Sequence, residues 1–164
     1  MTTVRLLGAI MLIFLTGCSQ PSARIQTRLN RDAELSGELP YNPLTWEVIS
    51  STLNPVDHTL TTISGNEQAI AYARHHASSN YPAGSVLAVV TWGQQDDPRW
   101  FGGKIPGGVR SVEFLEVQTA ADSGQNYLYS LYSGTPLRKL VSIAEKAPTS
   151  RASYLLAQKA AVMP

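Results

Sequence analysis

Residues 86–92 read Val-Leu-Ala-Val-Val-Thr-Trp, a continuous apolar run rich in β-branched side chains. A run of this kind, without polar alternation, is typical of a strand that is covered on both of its faces. A turn at residues 81–84, Tyr-Pro-Ala-Gly, precedes it. We therefore predict a central strand at residues 86–92 with further strands on either side.

Strand-like patterns occur before and after this run. Residues 58–63 alternate and are β-branched, residues 109–117 alternate, and residues 126–133 are rich in tyrosine and leucine. These patterns predict three more strands, with a turn at residues 122–125. Residues 44–49 fit either a strand or one helical turn. Residues 102–108 contain too many glycines for us to expect regular structure there.

Three helices are expected from spacing and capping signals. Ser64 and Glu67 have the spacing of a capping box, which predicts a helix over about residues 65–78. Pro136 is placed to open a second helix that runs to Ala147, and a third is expected over about residues 150–162. The predicted fold class is α+β, a small antiparallel sheet with flanking helices.

The first eighteen residues predict an export signal. Arg5 is followed by an apolar run over residues 6–15, whose helix would be about 15 Å long, half of a bilayer core. The run ends in Leu15-Thr16-Gly17-Cys18, which resembles a bacterial lipobox, in which the cysteine is acylated and becomes the first residue. Ser19 then favours the outer membrane, by resemblance to other lipoproteins. The alternative is an ordinary secretory signal in which Cys18 has no role.

Composition limits the remaining function classes. The chain has 164 residues with a net charge of +1 and one cysteine, which excludes an internal disulfide and a cysteine-rich zinc site. A nearly neutral chain has no electrostatic attraction for nucleic acid, so the expected partner is the membrane, through the lipid. We expect a signal peptide at residues 1–17, a lipidated cysteine and flexible tether at 18–40, and one domain at 41–164.

Few residues stand out as candidates for chemistry. His75 and His76 are adjacent and would point about 100° apart on a helix, so they are poorly placed to share a metal ion, and no metal site is expected. Trp92, Trp100 and Phe101 surround a polar loop; they either line an apolar pocket beside the sheet or pack in the core. Neither a G-x-S-x-G elbow nor a complete P-loop is present, so the sequence favours a protein that is not an enzyme.

Residues 64–136 carry a set of short motifs. They are Tyr81-Pro82-Ala83-Gly84 running into Val86, the segment Asp97-Pro98-Arg99-Trp100-Phe101-Gly102, and Val112-Glu113-Phe114. In these motifs the chain resembles the cytochrome P-460 family. The resemblance implies a mostly antiparallel sheet with flanking helices, and a homodimer. It also implies a c-type haem held by C-x-x-C-H near the C-terminus, which in some members oxidises hydroxylamine.

The chain departs from this pattern at the haem motif. Cys18 lies at the opposite end of the chain, and no histidine follows His76. We therefore expect no cofactor and a lipid-anchored periplasmic domain that binds a small ligand or a partner protein. The alternative is a haem protein without covalent attachment, with His75 or His76 as axial ligand, or an oxidoreductase related to the family.

Overall fold

A computed structural model describes residues 30–75, 78–119, 126–140 and 149–160. Within these ranges the chain forms six strands and two helices. The strands are β1 (Glu47–Asn54), β2 (Thr59–Gly65), β3 (Val86–Asp96), β4 (Lys104–Gln118), β5 (Asn126–Ser133) and β6 (Arg138–Lys139). The helices are α1 (Glu67–His75) and α2 (Thr149–Leu156), and short 3-10 turns occur at Arg31–Ala33 and Pro43–Thr45.

The strands form one antiparallel sheet in the order of the chain, from β1 to β6. β3 and β4 form its centre, with Val86 opposite Glu116 and Val90 opposite Val112. β3 is buried on both faces over most of its first seven residues, which confirms the prediction of a central covered strand. The fold is thus mostly β with few helices. It agrees with the α+β prediction in having a small antiparallel sheet.

One face of the sheet, here called the helix face, packs against both helices. Its core joins Leu87 and Val89 of β3 to Leu115 of β4. The helices contribute their apolar stripes to the same core: Ala69, Ile70, Ala73, Ala152, Leu155 and Leu156. The first helix, predicted over about residues 65–78, is therefore confirmed over Glu67–His75, and residues 76–77 lie outside the described residues.

The opposite face is covered by the chain segment of residues 30–40, which we call the strap. Ala33, Leu35 and Leu39 pack against a core that includes Phe114 and Trp92. The indole Nε1 of Trp92 donates to the Ala33 carbonyl at 3.0 Å, and the strap also pairs with Leu137 through Gly37. The described part of the predicted tether is therefore packed against the domain, because its single apolar residues cover the second face of the sheet.

Three local predictions need correction. Asn66, rather than Ser64, caps α1: its Oδ1 accepts from the Ala69 amide at 3.0 Å, while Ser64 belongs to β2. Residues 104–108 are part of β4 despite their glycines, because bulges in the pairing extend the ladder to Asp96 and Lys104. Residues 138–139 form β6 where a helix from Pro136 was expected, since the strap binds Leu137. Most of that predicted helix and the 122–125 turn lie outside the described residues.

Candidate functional site

Glu113 is a charged residue on the apolar helix face. β4 places it on the same face as Leu115 and Val117, and it is only 7% exposed. Arg151 of α2 reaches it with two hydrogen bonds, from Nε to Oε2 at 2.9 Å and from Nη2 to Oε1 at 2.6 Å. The Tyr129 hydroxyl donates to Oε2 at 2.7 Å. Both carboxylate oxygens are therefore occupied by donors from other elements.

The environment of this cluster raises the pKa of both Tyr129 and Arg151. Burial raises the pKa of the Tyr129 hydroxyl, and its hydrogen bond to the Glu113 carboxylate raises it further. The same carboxylate raises the pKa of Arg151 by accepting its hydrogen bonds. A bidentate arginine pair of this kind fixes geometry. The cluster therefore fastens α2 to the sheet and leaves no free base or acid.

An open cleft lies at the far end of β3 and β4. We call it the tip cleft; it has a volume of about 580 Å³ and is lined by Asn30, Gln95, Asp96, Pro98, Arg99 and Ile105. Gln95 Nε2 donates to Asn30 Oδ1 at 3.3 Å and to the Pro106 carbonyl at 3.1 Å. The strap thus forms one wall of the cleft, and the loop between β3 and β4 forms another.

The tip cleft combines apolar and polar groups. Ile105 and Pro98 supply apolar surface, while Arg99 supplies a guanidinium that lies 3.5 Å from Asp97. Its volume lies within the roughly 300–1,000 Å³ typical of small-molecule sites. Such a site can hold a small molecule with an apolar body and an anionic or hydrogen-bonding group.

Other clefts follow the edges of the strap. One of about 400 Å³ is lined partly by Arg31, Asp32 and Gly108, and one of about 490 Å³ by Glu38, Arg138 and Lys139 among others. A third, of about 390 Å³, runs beside Leu39 and Tyr41. These three clefts therefore all border the strap.

The structure does not bring the three aromatic candidates together. Trp92 is buried in the core beneath the strap. Trp100 and Phe101 lie in the loop between β3 and β4, directly after Arg99, and their side chains are 74% and 110% exposed. Trp92 is thus a packing residue, as the alternative interpretation of the sequence had it. The other two rings lie beside the tip cleft.

The histidines and the cysteine were the other candidates. His75 is exposed at the end of α1, and His58 is exposed with a positive φ of 50° in the turn after β1. His76 and Cys18 lie outside the described residues. Neither described histidine lines the clefts above, and the described part of the chain contains no group of three or more His, Cys, Asp or Glu side chains that could hold a metal ion.

The residues present do not fit a haem bound through thioethers. That attachment needs two cysteines and a following histidine, and the sequence has a single cysteine at position 18.

Across the described ranges, no helix is long and apolar enough to cross a bilayer.

Sequence reasoning missed the cluster of Glu113, Arg151 and Tyr129. The signal that could have found it is the position of Glu113 on one strand face with Leu115 and Val117. A carboxylate on an apolar face requires a partner, because burying it alone is costly. The identity of the partner could not be read from the sequence, since Arg151 lies 38 positions away on a separate helix.

Comparison with known proteins gives one family match. The search of curated proteins found no matching relative. A model of the cytochrome P-460 family matches residues 41–152, more than half of the chain. The match contains β1 to β6 and the beginning of α2, including Glu113 and Arg151. The chain therefore belongs to the cytochrome P-460 family.

Proposed function

We propose that this protein is a lipid-anchored periplasmic member of the cytochrome P-460 family that works without covalent haem and binds a small ligand in the tip cleft. The observation that carries the binding role is the cleft itself. Its volume of about 580 Å³ is bordered by Arg99, by apolar Ile105 and by the strap.

The proposal of a haem-free function is supported by the sequence and by the helix face. No C-x-x-C-H occurs in the 164 residues. Glu113 is a polar group that the helix face could offer to a cofactor, but its carboxylate is already bound by Arg151 and Tyr129. The hydroxylamine chemistry known from haem-bearing relatives is therefore not part of the proposal, and a partner protein remains the second candidate for what the domain binds.

The proposal of an anchor is supported by the position of the cysteine. Cys18 directly follows the apolar run and Leu15-Thr16-Gly17. Two or three acyl chains on one residue exceed the marginal membrane affinity of a single chain. With Ser19 next to the cysteine, we propose the outer membrane, facing the periplasm, as the location.

The binding role can be tested with a fluorescent probe. The dye 8-anilinonaphthalene-1-sulfonate has an apolar body and one anionic group, which matches the chemistry of the tip cleft. We expect saturable binding of one dye per chain to the full protein, weakened at least fivefold in Arg99→Ala. Lys139→Ala, which removes an exposed cation from a different cleft, is the matched control and should bind as wild type. Equal binding by wild type and Arg99→Ala would contradict the assignment of the cleft.

A further inference from the structure

The most exposed large apolar side chains in the described part of the chain lie at one end of the sheet. Among the described residues, the three most exposed large hydrophobic side chains are Val56 at 84%, Trp100 at 74% and Phe101 at 110%. The other exposed large hydrophobic side chains, Leu44 and Val48 among them, are at most 56% exposed. Exposed apolar groups scattered singly over a surface need no explanation, whereas the three most exposed ones gathered at one end require one.

The strand pairing places these residues at the same end. Trp100 and Phe101 lie in the loop that joins β3 to β4. Val56 lies in the turn that joins β1 to β2, and this turn contacts the same end of β3: the Gln94 amide donates to the His58 carbonyl at 2.9 Å. Gln94 Nε2 also donates to the Asn54 carbonyl at 3.2 Å. We call the turn of residues 55–58 and the loop of residues 97–103 together the apolar tip.

The described part of the chain begins at this same end. Asn30, the first described residue, contacts Gln95 and lines the tip cleft with Arg99. The path from Cys18 to Asn30 contains twelve peptide steps and spans at most about 40 Å even when fully extended. An acylated Cys18 would therefore hold the apolar tip within reach of the lipid surface.

We propose that the apolar tip is a second membrane contact, in which Trp100 and Phe101 enter the interfacial region of the bilayer beside the lipid on Cys18. This inference rests on the proposed lipid anchor. Tryptophan suits this position because its indole has an apolar body and a polar N–H, and it is enriched at membrane interfaces.

The charges around the apolar tip determine whether its membrane contact requires anionic lipid. Three cations, Arg99, Lys104 and Arg110, stand beside three acids, Asp57, Asp96 and Asp97. Lys104 pairs with Asp96, and Arg99 lies 3.5 Å from Asp97. Since the charges balance, the contact depends on the aromatic rings and does not require anionic lipid.

Tryptophan quenching by brominated lipid tests the proposal directly. The full protein is extracted from bacterial membranes, its intact mass is measured to verify the acyl chains on Cys18, and it is reconstituted into phosphatidylcholine vesicles with brominated acyl chains. We expect clear quenching of the wild type, loss of at least half of the quenched signal in Trp100→Phe, and wild-type quenching in the control Trp46→Phe. Trp46 is half-buried against the core beneath the strap. Adding anionic phosphatidylglycerol should leave the result unchanged.

The outcomes separate the tip from the anchor. A mass without acyl chains would overturn the lipid anchor on which the inference rests. Acylated protein whose quenching is the same in wild type and Trp100→Phe would overturn the tip contact alone. The third outcome is a blue shift of Trp100 emission that grows with protein concentration in detergent, without quenching by brominated lipid. It would mean that the apolar tip contacts a second copy of the protein instead of the membrane, and it would also overturn the tip contact.

Discussion

Glu113, Arg151 and Tyr129 show how one buried charge is accommodated in a small β-rich domain. A carboxylate that loses water must gain equivalent hydrogen bonds, and here three donors reach its two oxygens. Arg151 approaches from the helix and Tyr129 from the next strand, so the cluster ties three elements together.

The first prediction at this scale concerns the ion pair. Arg151→Met removes two hydrogen bonds from the buried Glu113 carboxylate and leaves Tyr129 as its remaining hydrogen-bond donor in the cluster. We expect the free energy of unfolding in urea to fall by about 2 kcal/mol, less than for a fully buried pair because the Arg151 side chain is 34% exposed. Arg138→Met, an exposed position on β6, should change it by less than about 0.5 kcal/mol. Equal stability of the two variants would show that the pair contributes nothing.

The second prediction concerns Tyr129 at high pH. Its pKa is raised in the folded protein, chiefly by burial, so above the unfolded value of about 10 the unfolded chain releases this proton more readily. Stability should therefore fall as pH rises above about 10. In Tyr129→Phe this part of the slope should disappear, which urea unfolding at a series of pH values between 9 and 11 would measure. An unchanged slope would mean that the folded protein does not raise the pKa of Tyr129.

At the scale of elements, the sequence predicts well where apolar periodicity decides the outcome. β3 and β5 lie where a continuous apolar run and a tyrosine-rich run place them. The cap predicted at Ser64 was a local error, whereas the predictions of a tether and of a helix from Pro136 failed because of contacts between distant segments. The strap was predicted to be part of a flexible tether because its apolar residues occur singly. They pack against the domain because the face of the sheet opposite the helices would otherwise be uncovered.

The same reasoning explains which parts of the site could be predicted. Trp100 and Phe101 stand out in the sequence, but their exposure does not. It depends on the loop between β3 and β4, and β4 begins earlier than its glycines suggested. The tip cleft combines Asn30 with residues 95–105, and no local pattern indicates that pairing. Sites built between segments far apart in sequence are therefore the part that periodicity cannot supply.

The prediction at this scale tests the central strand. Val89 is buried on the helix face, directly opposite Glu113 in the β3–β4 register. Val89→Asp adds an unpaired carboxylate beside an existing one, so we expect the domain to unfold or to lose most of its thermal stability. Thr52→Asp, an exposed position on β1, is the matched control and should melt as wild type. A near-normal melting temperature for Val89→Asp would contradict the sheet order.

The whole molecule has two unlike faces and two unlike ends. The helix face is closed by packed helices, while the strap face carries the clefts. The end of the sheet that receives the chain at Asn30 also carries the tip cleft and the apolar tip. In this arrangement the proposed anchor, the proposed ligand site and the proposed lipid contact would lie close together.

The prediction for the whole molecule concerns Cys18. Because the Cys18 sulfur is the proposed attachment atom, Cys18→Ser should leave the signal peptide uncleaved or leave the protein without acyl chains and no longer held in the membrane. Fractionation of cells with labelled palmitate would show loss of the label, while a Ser22→Ala control keeps it. Normal maturation and labelling of Cys18→Ser would contradict the anchor.

We propose that this cytochrome P-460 domain functions without haem, and the visible absorption spectrum of the purified full protein tests that proposal. The protein should be made in cells supplied with a haem precursor. Because the chain lacks both thioether cysteines and a histidine after His76, we predict no stoichiometric Soret band. A stoichiometric Soret band that disappears in His75→Ala or His76→Ala would contradict the account.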